Sequence, residues 1–403
     1  MGSKKILFVI NTMGQGGAET AMIELMKELD RRLDCQIDLY VMLDQGDLIR
    51  RLPPFVKVLN RTMDETDVLS ASGRRRVYRR TVQKLLSRFS GVRNASYMFR
   101  NSVRMRRKGS WNPKNLLWKA IADGSGSSEH HYDMAIAFIE GASTYYVANR
   151  VDAETKVAFV HIDYQKAGYT RELDHGCYDR FQAIYCVSRD VRTSFLSVYP
   201  ELDDRTHVFA NVIDPGTIRR KARAAGGFTD EFDGVRIVSV GRLVKQKSYE
   251  TAIESARILS KRGYLFRWYV FGEGEERTFL EREIERNGVA DCFVLAGAVE
   301  NPFPYLRDAR IYVQCSKYEG QSIAVREAKV LGLPVVLSLT SGNRGQITDG
   351  VDGIYVGTDP VSVADGIERL MQDPELCKKL GKAAAESKQE HEDICQLLQL
   401  LEK

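Results

Sequence analysis

From Arg74 to Lys119 the chain has no Asp and no Glu, while fifteen Lys and Arg fall within those 46 positions. The whole 403-residue chain carries only +5, so everything outside that window sums to −10. Cysteine is sparse and scattered: the seven (35, 177, 186, 292, 315, 377, 395) form no C-x-x-C and no metal-like spacing. That excludes a disulfide framework and a zinc site, and it predicts reduced thiols in the cytoplasm. No apolar run approaches 18 residues and no signal peptide is visible, so a membrane span is not expected. Met1-Gly2 lacks the Ser or Thr that myristoylation needs at position 6, which is Ile6. No G-x-G-x-x-G follows a strand, which removes support for a dinucleotide. No Asp-x-Asp closes a strand to hold a divalent metal. The hydrophobic fraction of 43% and charged fraction of 28% are those of a globular protein, long enough for two domains.

The most informative stretch runs from Ser316 to Pro334. Ala309–Val313 reads as a buried strand, Glu319 and Gly320 sit in a polar loop, and Ile323–Leu331 carry helix spacing behind Ser322 as N-cap. Gly332 and Pro334 stop the helix, and Val335-Val336-Leu337 begins another strand. This is a unit of a parallel sheet, where ligands sit beyond the carboxyl ends of the strands. Glu319 and Glu327 are eight residues apart, a helical rise of about 12 Å, so they can touch opposite ends of one elongated ligand. The helix N-terminus between them suits a diphosphate. A nucleotide sugar has that shape.

Glu-x7-Glu inside S-K-Y-E-G-Q and E-A-K-V-L-G-L-P-V-V resembles the retaining nucleotide-sugar glycosyltransferases of family 4, of bacterial cell-surface polysaccharide type. The resemblance implies the GT-B fold: α/β, two doubly wound Rossmann-like domains facing across a cleft. It implies that Glu319 holds donor-sugar hydroxyls and Glu327 the ribose. The family usually has Gly-Phe-Gly-Leu after the first glutamate; here Gly320-Gln321-Ser322-Ile323 lacks the second glycine.

Elsewhere the strand pattern recurs. Lys5–Ile10 leads into Asn11-Thr12-Met13-Gly14-Gln15-Gly16-Gly17-Ala18-Glu19, and a glycine-rich turn lets backbone approach phosphate. G-G-A-E after the first strand resembles the family's opening, with Gly16 and Gly17 lining the cleft. Lys156–Val160 ends at His161-Ile162-Asp163-Tyr164, and the resemblance implies that His161 faces acceptor and donor sugar. Val235–Val240 is followed by Gly241-Arg242-Leu243 and Lys247. Arg plus Lys beside a helix N-terminus concentrates positive charge, and G-R-L-x-x-x-K resembles the family's diphosphate clamp, with Ser248 where a glycine usually stands. Gly272-Glu273-Gly274 resembles the loop under the nucleotide, and Ala298-Val299 the segment that seats the base.

The reading is three segments: an acceptor domain, 1–214, with a basic insertion, 74–119; a donor domain, 215–387; and a terminal helix, 388–403, crossing back. Transfer from a nucleotide diphosphate sugar, most simply a UDP-sugar, would use Arg242, Lys247, Glu319 and His161, with no metal and no cofactor. Two other activities remain open, a sugar-nucleotide epimerase or hydrolase of the same fold and transfer to a protein or soluble acceptor. The basic window interleaves aromatics and suits an anionic membrane, an acidic ligand or nucleic acid. No recognised nucleic-acid motif supports the last. The membrane expectation puts Arg74, Arg75, Arg76, Arg79 and Arg80, with Trp111 and Trp118, against the inner membrane face, where a glycan or lipid-linked acceptor waits.

Overall fold

The computed structural model describes residues 3–68, 70–107, 111–340, 342–387 and 392–402. Met1, Gly2, Lys108, Ser341 and positions 388–391 of the expected terminal helix lie outside the described residues. The chain divides into two units, residues 1–212 with 390–403, and residues 213–389.

In the first unit β1 (Lys4–Ile10), β2 (Cys35–Val41), β3 (Val56–Val58), β4 (His131–Ala137), β5 (Asp152–Val160), β6 (Ala183–Cys186) and β7 (Thr206–Val208) form one sheet. Its order is β3-β2-β1-β4-β5-β6-β7 and every pairing is parallel. Helices α1 (Gly17–Arg32), α2 (Ala71–Leu86), α3 (Ser90–Arg93), α4 (Ala95–Arg107), α5 (Pro113–Gly124), α6 (Ala142–Arg150), α7 (Arg171–Asp174) and α8 (Arg189–Leu196) fill the connections. β1 is a continuous apolar run because helices cover both faces of a parallel sheet, and Ile6 to Ile10 are all buried. α1 shows the complementary pattern: Ala21, Met22, Leu25, Met26 and Leu29 make one buried stripe.

The basic window folds into a two-layer insertion. α5 is the inner helix, with Leu116, Ala120 and Ile121 buried, and it packs against α2, α3, α4 and α6. α2 to α4 lie outside it. This corrects the expectation for Trp118. Its indole is half-buried against the core of the unit and abuts Gly141, so it belongs to the inner layer and offers nothing to a membrane. Trp111 is exposed.

In the second unit β8 (Val235–Val240), β9 (Phe266–Phe271), β10 (Phe293–Gly297), β11 (Ile311–Gln314), β12 (Val335–Ser338) and β13 (Gly353–Val356) form a parallel sheet ordered β10-β9-β8-β11-β12-β13. Its helices are α9 (Pro215–Ala222), α10 (Tyr249–Lys261), α11 (Arg277–Asn287), α12 (Phe303–Asp308), α13 (Ile323–Val330), α14 (Pro360–Gln372) and α15 (Pro374–Glu386). The last helix, α16 (Glu392–Glu402), belongs to the first unit. Ile394, Leu397 and Leu401 are buried there, each worth roughly 1.5–3 kcal/mol, and Thr155 Oγ1 of β5 donates to the Leu400 carbonyl.

Both sheets reverse strand order once: between β1 and β4 in the first, between β8 and β11 in the second. Ligands of open α/β sheets collect at such points, outside the carboxyl ends of the strands.

Candidate functional site

At the reversal point of the second unit, β8 runs out into Gly241-Arg242-Leu243 and β11 into the loop holding Glu319. Glu319 is buried and ringed by donors. Lys247 Nζ lies 2.6 Å from its Oε1, with the two side chains only 15% and 9% exposed. Ser316 Oγ donates to Oε1 at 2.6 Å and Gln314 Nε2 at 3.4 Å; Gln246 Nε2 reaches Oε2 at 3.5 Å. Gln246 also clasps the two loops, its carbonyl accepting from Lys317 N at 2.8 Å and its amide donating to the Tyr318 carbonyl at 2.9 Å. Sequence reasoning missed Gln246, Gln314 and Ser316. Gln314 and Ser316 are two residues apart where an apolar strand ends, a period that points both to one face; that was the available signal.

α13 begins where the loop ends, with Glu327 half-buried in its second turn. Ser322 holds the N-cap position but does not cap, which corrects that expectation. Its hydroxyl donates to Gln314 Oε1 at 2.8 Å, and no described helix N–H donates to its oxygen. Its backbone N–H is taken by Gln346 Oε1 at 3.0 Å, so this donor is not free for a diphosphate. A buried pair, Lys329 to Asp352 at 2.8 Å, ties the other side of α13 to the same loop, where Lys329 Nζ also donates to the Gln346 carbonyl. Gly320 and Ile323 are buried and Gln321 is half-buried.

Arg242 stands apart from this network. It is exposed and forms no ion pair with a described residue. Gly272 and Gly274 have a local reason to be glycine: a Cβ on Gly272 would sit 2.0 Å from the Gly241 carbonyl oxygen, and one on Gly274 would sit 2.2 Å from that of Leu243. They bring the loop after β9 against the Arg242 turn, where Leu243 N donates to the Glu273 carbonyl at 2.9 Å. Ala298 and Val299 follow directly on β10. Ser248, between the Lys245–Lys247 turn and α10, has φ 52°, a left-handed conformation that favours glycine.

In the first unit the reversal point joins Asn11, after β1, to Glu140, after β4. Asn11 Nδ2 donates to the Glu140 carbonyl at 2.8 Å, and Asn11 Oδ1 accepts from Ser143 N at 3.0 Å. The Glu140 carboxylate accepts from the backbone N–H of His161 and of Ile162 and so fixes the end of β5. Burial pushes the Glu140 pKa up to about 7, against those backbone donors. The His161 ring packs on Phe138 and Phe159, with centroids 5.1 and 6.2 Å away. Burial pushes its pKa down to about 3, so it is neutral at pH 7, and its Nε2 is buried with no hydrogen-bond partner among the described residues. Asp163 binds Ser194 Oγ at 2.6 Å and Lys166, not the histidine. Gly16 precedes α1 and Gly17 is its first residue; a Cβ on Gly16 would meet the Glu19 carboxylate at 2.2 Å. The glycine turn therefore holds an acidic side chain of its own.

Residues 230–387 match the family model described as "Glycosyl transferases group 1". The chain is 31% identical over 152 residues to an alpha-D-kanosaminyltransferase of Streptomyces kanamyceticus, covering 37% of this chain and 39% of that protein. It is 27% identical over 150 residues to a poly(ribitol-phosphate) alpha-N-acetylglucosaminyltransferase of Staphylococcus aureus, covering 37% and 30%. It spans under half the length of these curated relatives. Among solved structures, an S. aureus TarM variant in complex with UDP aligns over 99% of this chain and 100% of its own at TM-score 0.68 and 14% identity. Anabaena HepE in complex with UDP-glucose aligns over 99% and 98% at TM-score 0.66 and 14% identity. Residues 230–387 thus resemble the group 1 glycosyl transferases in sequence, and the whole chain shares the two-domain GT-B fold of these enzymes.

Proposed function

We propose that the protein is a retaining, metal-independent glycosyltransferase of family 4. It moves a sugar from a nucleotide diphosphate sugar, a UDP-sugar, to a glycan hydroxyl, one carried on a lipid during cell-surface polysaccharide synthesis. One observation carries the reading. The reversal point of the second sheet sets the buried Lys247–Glu319 pair beside the turn that carries exposed Arg242, with Glu327 in the second turn of α13. The UDP and UDP-glucose held by the structural neighbours support the donor. Relatives named for lipopolysaccharide core and capsular polysaccharide synthesis support the acceptor class.

In this scheme the sugar hydroxyls replace Lys247 on Glu319, and the freed ammonium turns with Arg242 to the diphosphate. The bond from the anomeric carbon to the bridging oxygen breaks and its electron pair stays on that oxygen. The acceptor oxygen bonds to carbon on the same face, and its proton passes to the departing phosphate. Charge grows on the leaving group in the transition state, so two cations held near it act mainly on turnover. His161 is neutral and is no strong base; its Nε2, buried and with no hydrogen-bond partner among the described residues, meets a sugar hydroxyl only if the end of β5 opens.

A panel of nucleotide sugars scored by thermal shift tests the donor, because a ligand at about a hundred times its Kd adds about 2.7 kcal/mol of stability. A panel without any shift would remove the reading. Glu327→Ala is expected to weaken nucleotide binding by roughly 1.5–3 kcal/mol, the worth of a charge-assisted hydrogen bond. Unchanged affinity with lower turnover would take the ribose away from Glu327. Transfer is expected to continue in the presence of a chelator; a strict divalent requirement would contradict the metal-independent scheme.

A further inference from the structure

The outer layer of the basic insertion puts together two properties that surfaces usually keep apart. Tyr78, Leu86, Phe89, Val92 and Phe99 are 71–77% exposed and Trp111 is 46% exposed. These six are nearly half of the thirteen exposed large hydrophobic residues described, in a segment that makes up little more than a tenth of the chain. On α2, Arg75, Tyr78, Arg79, Val82 and Leu86 recur at helical spacing and share one face. On α4, Phe99, Val103 and Arg106 do the same, and the Arg106 guanidinium lies over Trp111 at 4.6 Å. Between them Leu86, Phe89 and Val92 form a corner. There the backbone of Arg88 and of Phe89 is left-handed, with φ 52° and 53°. Such a conformation is unfavourable for a bulky side chain, yet here it turns Phe89 outward. Beside the corner, Arg76, Arg79, Arg80 and Gln83 line a cavity of about 200 Å³ with Asp64.

We propose that this layer, α2 to α4, docks on an anionic lipid bilayer, with the Leu86–Val92 corner entering the acyl boundary and the arginines on the headgroups. It gives the lipid-linked acceptor read above a surface on which to be met, and rests on that reading for its purpose only. The physical grounds are separate. α2 to α4 carry twelve Lys and Arg and no acid of their own; Asp64, Asp44 and Glu172 pair with Arg76, Lys84 and Arg104, and the cations that remain select an anionic partner. Exposed Leu86 and Val92 gain nothing from phosphate and sugar, but gain from hydrocarbon, which favours a bilayer over nucleic acid. A second copy of the chain is disfavoured, since it would set this charge against itself. In that cavity Asp64 pairs with Arg76, which leaves Arg79 and Arg80 to meet a phosphate headgroup.

The test is sedimentation of the full chain with neutral phosphatidylcholine vesicles and with vesicles containing phosphatidylglycerol. Binding is expected with the anionic vesicles only, and is expected to fall at high salt. Replacing Arg75, Arg79, Arg88, Arg93 and Arg100 by Gln should lower the partition coefficient about a hundredfold or more. Leu86→Ser with Phe89→Ser and Val92→Ser keeps the charge and should lower it about tenfold. Trp268 is fully buried and Trp118 is packed against the core, so a blue shift of emission on vesicles should vanish in Trp111→Phe. Equal sedimentation with both vesicle types, or with neither, would overturn the proposal. So would a triple-serine variant that binds as the parent does, or one that keeps full affinity for a labelled oligonucleotide while vesicles fail to compete. Nucleotide-induced thermal shift, measured on every variant, reports folding and the donor reading separately. If that shift is absent while vesicles still bind, the transferase reading falls and the docking face stands.

Discussion

Lys247→Ala is expected to cost about 3–5 kcal/mol of stability in the second unit and to lower turnover by about two to three orders of magnitude. The stability loss comes from what remains behind. Without the ammonium 2.6 Å away, the Glu319 carboxylate stays buried with Ser316, Gln314 and Gln246 as its donors among the described residues, and none of these is charged. The double variant Lys247→Met with Glu319→Gln separates the two effects. It removes both charges together and should recover most of the stability, because a buried ion pair is worth little against a neutral pair of similar volume. Turnover should stay low in both. A single variant as stable as the parent would mean that water reaches Glu319. Full turnover in either would remove the pair from the mechanism.

The second large effect is a pH dependence hidden by compensation. The folded pKa of Glu140 is raised to about 7 from an ordinary 4.5. The folded state then holds a proton that the unfolded chain releases, so this contribution is present at low pH and lost as pH rises through 7. The folded pKa of His161 is lowered to about 3 from 6.5. Here the unfolded chain binds the extra proton, so stability is full above 6.5 and lost as pH falls. Between pH 4.5 and 6.5 the two slopes oppose each other, each about 1.4 kcal/mol per pH unit. Glu140→Gln removes one of them. Relative to the parent, the variant should gain about 2.7 kcal/mol in the unfolding of the first unit across that interval. A difference independent of pH would show that Glu140 is ionised in the folded state throughout.

The strands were legible because a parallel sheet buried on both faces needs unbroken apolar runs, and Ile6–Ile10 of β1, Ile311–Val313 of β11 and Val335–Leu337 of β12 are such runs. The loop–helix unit around Glu319 and Glu327 was legible for the same reason, since strand ends and Gly or Pro stops bracket it. Contacts across the sheet were not. Nothing near Lys247 in sequence announces Glu319, 72 positions on, as its partner. Asn11 and Glu140 meet across 129 positions in the same way. Trp118 was misplaced because composition says which residues an insertion holds, not which layer they face. Local preference marks Ser322 as a cap, but its hydroxyl donates to a buried glutamine on β11, a partner that no local pattern reveals.

α16 makes the order of synthesis matter. The first unit is discontinuous in sequence, and Ile394, Leu397 and Leu401 complete its core. A ribosome that has finished residues 1–212 has not finished that unit, and it must first deliver 213–389. At about 5–20 residues per second this is a delay of roughly 10–35 s. During it the second unit, which is continuous, can fold, while β5 waits with the face that α16 will cover open to chaperones and proteases. Nascent chains stalled just before residue 390 should therefore be cut by protease within the first unit, and full-length chains should resist it.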